Sequence, residues 1–233
     1  PIKQHLLHVD AAGNVTEIDS TTLQLGTPGC VIGRRPDGLV ASQPSARGSC
    51  VGRYFADNAR LEAASVTAFR ILRAELARHG APQSLLRHVQ RSVRDEVRHT
   101  KVVRRLARRY GGRSRGYSVS PTPRRSLEAI AIENMTEGCV RETFGALVGR
   151  WQAARATDPA VRRAMLRIAR DETRHAALSW QVADWLSSKL DAEARSRVVS
   201  AKAKALAQLR HELTAAPDPL LQEAAGLPSP MQA

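Results

Sequence analysis

The stretch Asp95-Glu96-Val97-Arg98-His99 returns as Asp171-Glu172-Thr173-Arg174-His175. In each copy a glutamate and a histidine stand three residues apart, so on a helix they share one face about a turn from each other. Two such faces turned together would aim two carboxylates and two imidazoles at one point. With one further glutamate from each of two other helices, that donor set holds a pair of divalent cations in a bundle core.

The rest of the chain supplies helices of the required kind. Phe55, Glu62, Val66, Phe69 and Leu76 form one stripe, predicting a first helix over Arg53 to His79, ended by Gly80 and Pro82. A second helix is expected from Pro82 to Tyr110, with the stripe Leu86, Val89, Val93, Glu96, Val103, so a glutamate sits where the period calls for a core residue. The loop Gly111 to Pro123 ends in Thr122-Pro123, an N-cap and first helical residue by type. Its 13 residues reach about 43–47 Å when extended. A helix of about 29 residues is about 43 Å long, so the loop can return along the whole bundle. A third helix follows to about Ala156. A fourth, from Asp158-Pro159 to about Ser187, places Val161, Met165, Ile168, Glu172, His175, Ser179, Val182 and Leu186 in one series. A fifth amphipathic helix is expected from about Asp191 to Leu213.

The two helix pairs repeat at nearly constant offset. Glu62 to Glu137 and Phe69 to Phe144 are 75 residues, Pro82 to Pro159 is 77, and Glu96 to Glu172 and His99 to His175 are 76. Antiparallel packing would then surround one point with Glu62, Glu96, His99, Glu137, Glu172 and His175. A single Glu-x-x-His is ordinarily a solvated helix face. Four carboxylates buried without a cation would cost several kcal/mol each, whereas two divalent ions would balance them.

Composition narrows the remaining choices. The net charge is +14, and residues 82 to 125 hold 13 Lys/Arg against Asp95 and Glu96, that is 13 − 2 = +11. Arg87, Arg91, Arg94, Arg98, Lys101, Arg105 and Arg108 step by fours and threes along the back of the second helix. That basic face of residues 87–108 is either solvated or a docking face for an anionic partner. The second motif copy is read as lacking such a stripe. No apolar run is long enough to span a membrane. Residues 1–50 read as a small cap with a short hairpin around Ala11 to Asn14 and turns at Thr27-Pro28-Gly29 and Pro36-Asp37-Gly38. Residues 51–188 form the bundle, 189–214 the C-terminal helix and 215–233 a loose, proline-rich tail. Cys30 and Cys50 could pair in an oxidising compartment, and Cys139 reads as a small core residue. The chain opens at Pro1 without a methionine, which leaves export open beside a slightly favoured cytoplasmic location.

From about residue 53 to 187 the chain resembles the ferritin-like di-iron carboxylate superfamily. Its doubled (Asp/Glu)-Glu-x-Arg-His motif is similar to that of bacterial multicomponent monooxygenase hydroxylases. Leu61-Glu62-Ala63-Ala64-Ser65-Val66 and Glu137-Gly138-Cys139-Val140-Arg141-Glu142-Thr143 resemble small bacterial ferritin-like domain proteins. The resemblance implies a ferritin-like four-helix bundle with one long crossover; with the fifth C-terminal helix and the small β-rich or irregular N-terminal segment read above, the fold class expected is all-α. The resemblance also implies that Glu62, Glu96 and His99 serve one metal, that Glu137, Glu172 and His175 serve the other, and that one Glu of each motif bridges. Asp95 and Asp171 would orient the imidazole on the facing helix. Glu133, one turn before Glu137, is a further ligand or a proton shuttle in this scheme. Glu142 would reach the metals only through a π-bulge. The chain lacks the length and extra domains of the multicomponent hydroxylases, so their hydrocarbon chemistry does not carry over.

The cofactors implied are two iron ions, with Mn/Fe or Mn/Mn as alternatives, and O2 as co-substrate. The six residues would then be catalytic as well as metal-binding. The function expected is an oxidase or oxygenase on an organic or macromolecular substrate, with an external electron donor and an apolar channel to the metals. The alternatives are Fe(II) oxidation or iron handling in an oligomer, and a basic polyanion-binding protein with a structural metal site.

Overall fold

The computed structural model describes residues 2–9, 15–23, 33–40, 48–121 and 123–230, with strand residues 2–9 and 15–23 described by their backbone alone. Strands β1 (Ile2–Val9) and β2 (Val15–Leu23) pair antiparallel with a register shift between Leu6 and Leu7. The turns expected at residues 11–14 and 27–29 lie outside the described residues. So does Cys30, and with it any pairing to Cys50.

The rest is mainly helical. Helix α1 (Cys50–Arg78) starts at Ser49, whose hydroxyl accepts from the Gly52 amide. It ends at Gly80, whose φ of 75° only glycine adopts freely, and the chain reverses into α2 (Gln83–Arg109). After a long connection come α3 (Leu127–Glu133), a π-helical segment (Asn134–Glu142) and α4 (Thr143–Arg155), which follow without a break. Asp158 caps α5 (Pro159–Ser187), with Pro159 in its first turn. Helices α6 (Ala192–Glu212) and α7 (Pro219–Ala225) complete the chain.

Helix α1 packs on α2, α5 packs on the π-helical segment and α4, and the two pairs meet through α2 and α5. Arg98 reaches Asp171 and Arg174 reaches Asp95, so α2 and α5 run antiparallel with the two motifs side by side. The buried apolar side chains fall into two layers. Phe55, Val103, Leu106, Met165 and Ile168 belong to one, and Phe69, Leu72, Val89, Leu178, Val182 and Leu186 to the other. Along α1, α2 and α5 the layers leave a gap at Glu62, at Glu96 and His99, and at Glu172 and His175. A buried polar layer therefore lies between two apolar ones, and hydrophobic burial on both sides holds it in place.

The connection between α2 and α3 travels the length of α1. It starts where Gly112 crosses Gly52 so closely that a Cβ on Gly112 would stand 2.0 Å from the Gly52 carbonyl oxygen. Tyr117 shares a hydrogen bond with Thr67 at mid-helix, and Arg125 forks onto Glu75 near the end. Helix α3 begins later than Thr122-Pro123 suggests: Ser126 is its cap, accepting from the Ala129 amide, and Thr122 is outside the described residues.

The tail differs from the loose segment expected. Asp218 caps α7, and Leu221, Ala225 and Leu227 are buried in the first apolar layer. Gln152 donates to the Ala225 carbonyl. Three apolar residues on one short helix and its exit supply the burial that the prolines alone do not suggest. No helix among the described residues is long and apolar enough to cross a membrane.

Candidate metal centre

Glu62 from α1, Glu96 and His99 from α2, and Glu172 from α5 each bring one donor atom into a single group within 4.8 Å. Glu142, Glu172 and His175 form a second such group, joined to the first through Glu172. All six residues are at most 2 % exposed. Each imidazole turns Nδ1 inward. His99 Nδ1 lies 3.2 Å from Glu172 and 3.4 Å from Glu62, and His175 Nδ1 lies 3.1 Å from Glu96.

The outer nitrogens are held crosswise. His99 Nε2 is 3.1 Å from Asp171, and His175 Nε2 is 3.3 Å from Asp95. Arg98 bonds Asp95 and reaches Asp171, while Arg174 bonds Asp171 and reaches Asp95. Each motif thus orients the ring contributed by the other, and a carboxylate on Nε2 favours the tautomer with the proton there and the Nδ1 lone pair directed inward.

Glu137 is not brought to this cluster. Its carboxylate accepts from the Arg35 amide and stands 3.4 Å from Arg141 Nε. The fourth carboxylate is Glu142, delivered by the π-helical segment. A π turn closes over i→i+5, so everything after it is rotated relative to an unbroken α-helix. The 75-residue offset from Glu62 assumes the unbroken helix and therefore points to Glu137, which lies outside both groups. Ser179 donates to Glu142 Oε2 at 2.7 Å and leaves Oε1 without a hydrogen-bond partner. Glu133, too, faces away, forked onto Arg34 at 2.7 and 3.0 Å.

Arg34 is the residue that spacing could not find. It comes from the segment 33–40, is 1 % exposed, and also donates to Asn134 at the start of the π-helical segment. Its guanidinium lies over the Phe69 ring, and Phe69 meets His175 edge-on at 5.2 Å. Asn134 in turn donates to the Ser179 carbonyl. Gly138 makes room for this packing, since a Cβ there would stand 2.6 Å from Ser179 Oγ and 2.9 Å from Arg34 Nη1. Cys139 is buried beside Ser179, as its type suggests.

Electrostatics set the titratable groups of the cluster apart from their ordinary ranges. Burial, then the neighbouring Glu96, holds the Glu62 carboxyl well above its ordinary range. Burial also pushes Glu142 up to about 8, against the pull of Arg34 and His175. Burial alone would lower both imidazoles, but it is outweighed by Glu62, Asp171 and Glu172 at His99, and by Glu172, Asp95 and Glu96 at His175. Both rings are therefore raised well above the ordinary histidine range. For Glu96 the burial effect is outweighed by the two neighbouring imidazoles, and its carboxyl is lowered.

Twelve buried side-chain polar atoms lack a hydrogen-bond partner among the described residues, and eight of them belong to these six residues. Those eight are Glu62 Oε2, both oxygens of Glu96 and of Glu172, Glu142 Oε1, and Nδ1 of His99 and His175. Each orphaned polar atom would cost roughly 1–3 kcal/mol. Carboxylate oxygens and imidazole nitrogens converging in this way suit hard or borderline divalent cations. A buried Glu/His group that can hold a metal ion is therefore present.

A separate cavity of about 440 Å³ is lined by Arg35, Arg125, Glu133, Thr136 and Glu137 among others. Its lining is mixed and charged, unlike the apolar channel expected for an oxidase. Comparison of the chain with protein-family models, with curated proteins and with solved structures gave no match.

Proposed function

We propose that the protein is a ferritin-like, dinuclear metal carboxylate protein, with iron as the metal, that activates O2 as an oxidase or oxygenase. The observation that carries this reading is the convergence of eight orphaned carboxylate and imidazole atoms in one buried layer. Glu62, Glu96, His99 and Glu172 would hold one metal, and Glu142, Glu172 and His175 the other. Four carboxylates match the charge of two divalent ions, so the layer becomes neutral on loading and the desolvation penalty is offset.

When bound, a ferrous pair in this oxygen-rich donor set supplies the electrons for O2 reduction, while the protein supplies geometry and shielding. Asp95 and Asp171 keep the two imidazoles in the ligating tautomer. Ser179 holds Glu142 through Oε2, and burial pushes the Glu142 carboxyl up to about 8 before loading. The apolar layers above and below exclude water, with Phe69 forming the wall beside His175.

Anaerobic Fe(II) titration followed by rapid mixing with O2 tests the reading. It predicts two irons per chain and a transient near-ultraviolet or visible absorption band. Steady consumption of Fe(II) with ferric product as the end point would favour iron handling over oxidase chemistry. Binding of one metal or none would remove the dinuclear reading altogether.

A further inference from the structure

The basic back expected of the first motif alone is present behind both. Arg87, Arg91, Arg94 and Arg98 of α2 recur 76 residues on as Arg163, Arg167, Arg170 and Arg174 of α5. The first three of each row are exposed, and the fourth of each joins the Asp95–Asp171 network between the helices. The pseudo-twofold relation of the metal donors therefore continues to the outer surface. Since α2 and α5 are antiparallel, Arg163, Arg167 and Arg170 run beside Lys101, Arg105 and Arg108, which extend the α2 row.

Among the described residues these cations have no partner that would compete with a ligand. Arg87, Arg91, Arg94, Lys101, Arg105 and Arg108 form no side-chain ion pair or hydrogen bond among the described residues, nor do Arg163, Arg167 and Arg170. Other arginines are matched with acids: Arg125 with Glu75, Arg141 with Glu212 and Arg197 with Glu128. At the α2 end of the face, Arg104, Arg108, Arg113 and Ser114 line a cavity of about 520 Å³.

We infer that this two-row face binds duplex nucleic acid through its phosphates. The α2 row from residue 87 to 108 spans about 32 Å at 1.5 Å per residue, close to the roughly 34–36 Å of one duplex turn. Packed helices lie about 8–10 Å apart, of the order of the roughly 12 Å groove that separates two phosphate strands. Two rows related by a twofold suit a ligand whose backbones are themselves related by twofold axes. The rows carry no aromatic side chain on which a single strand could stack. Apart from Val97 and Leu166, the large apolar side chains between these arginines are turned into the core, which leaves too little apolar surface for either helix to insert into an anionic bilayer as an interfacial helix does. Contacts to phosphate alone make the binding indifferent to sequence.

The test is fluorescence anisotropy of a labelled 20-base-pair DNA duplex of mixed sequence with the full chain, from 50 to 200 mM salt. With about six phosphates neutralised, affinity should fall about 1,000-fold over that range. The Arg91→Glu/Arg105→Glu/Arg167→Glu variant should bind at least tenfold more weakly, with a salt slope lower by about one per residue. Its thermal midpoint and metal stoichiometry should match those of the unaltered protein, which separates a lost surface from a lost fold. Arg210→Glu, on the exposed side of α6, should bind as the unaltered chain does. An unaltered slope in the triple variant, no binding at 50 mM salt, or tighter binding to phosphatidylserine vesicles than to the duplex would each overturn the inference.

Discussion

Asp171 of α5 stands 3.1 Å from Nε2 of His99 on α2, and the same relation is repeated in reverse by Asp95 and His175 at 3.3 Å. The acid of each motif therefore acts on the ring of the other, and the two copies depend on each other for their geometry. Asp171→Asn keeps the shape and removes the charge that favours the Nε2–H tautomer. Metal affinity should fall about 10- to 100-fold with stoichiometry unchanged, measured by competition with a chelator. Unchanged affinity would show that the crosswise contacts do not orient the ligands.

Removing Arg34 strands its partners. Arg34→Met leaves Glu133 with Arg125 alone, 3.8 Å away, and Asn134 Oδ1 without a donor, at a position where the Arg34 side chain is fully buried. Breaking a buried pair in this way costs about 3–5 kcal/mol, read as a lower urea midpoint. Replacing Glu133 as well, as Arg34→Met/Glu133→Leu, should recover much of that loss. If the double variant is no more stable than the single one, the pair is not what Arg34 contributes.

Gly138→Ala tests the close packing around the π-helical segment. The added methyl would press on Ser179 Oγ and Arg34 Nη1, the two groups that fix Glu142 and Asn134. Overpacking of this kind costs about 1–3 kcal/mol. One metal position should weaken more than the other, seen as two separated steps in a metal titration. A single unchanged step would contradict this.

The metal-free protein should lose stability as pH rises. Glu142 binds its proton up to about pH 8 when folded and only to the ordinary carboxylate range when unfolded. Glu62, His99 and His175 are raised as well. Between roughly pH 5 and 8 the folded state therefore holds more protons than the unfolded state, so stability declines with pH. The lowered Glu96 and Asp171 act with the opposite sign, but their contribution is complete above the ordinary carboxylate range. Thermal melts in chelator should show a higher midpoint at pH 5.5 than at pH 8. Loaded protein should lose this trend, because metal replaces the protons on the same atoms. A chelated protein that gains stability from pH 5.5 to 8 would contradict the assignment of the raised groups.

Much of this arrangement was legible in periodicity. Glu96, Glu172 and His175 stand in apolar stripes, and a polar residue at a core position has to find a partner. The crossed aspartates could be expected only through the family resemblance that the motif carries. Glu142 could be reached only by supposing a π-helical turn, because hydrophobic spacing is counted on an α-helix and gives no sign of where the hydrogen bonding shifts. Arg34 leaves no periodic trace, since it lies in a non-helical segment about 100 residues from the glutamate it binds. The α7 contact was hidden by prolines that also start helices. The arginines of α5 carry the same 76-residue offset as the metal donors, yet they are separated from one another by apolar residues and read as isolated charges.

The most direct test of the proposed centre is the metal-to-protein ratio of Glu142→Gln set beside that of Glu137→Gln, after anaerobic Fe(II) loading and removal of free metal. The geometry predicts two irons per chain for the unaltered protein and for Glu137→Gln, and one or fewer for Glu142→Gln. Two irons in Glu142→Gln with loss of one in Glu137→Gln would contradict it, and would return the sixth position to the glutamate that the repeat alone would choose.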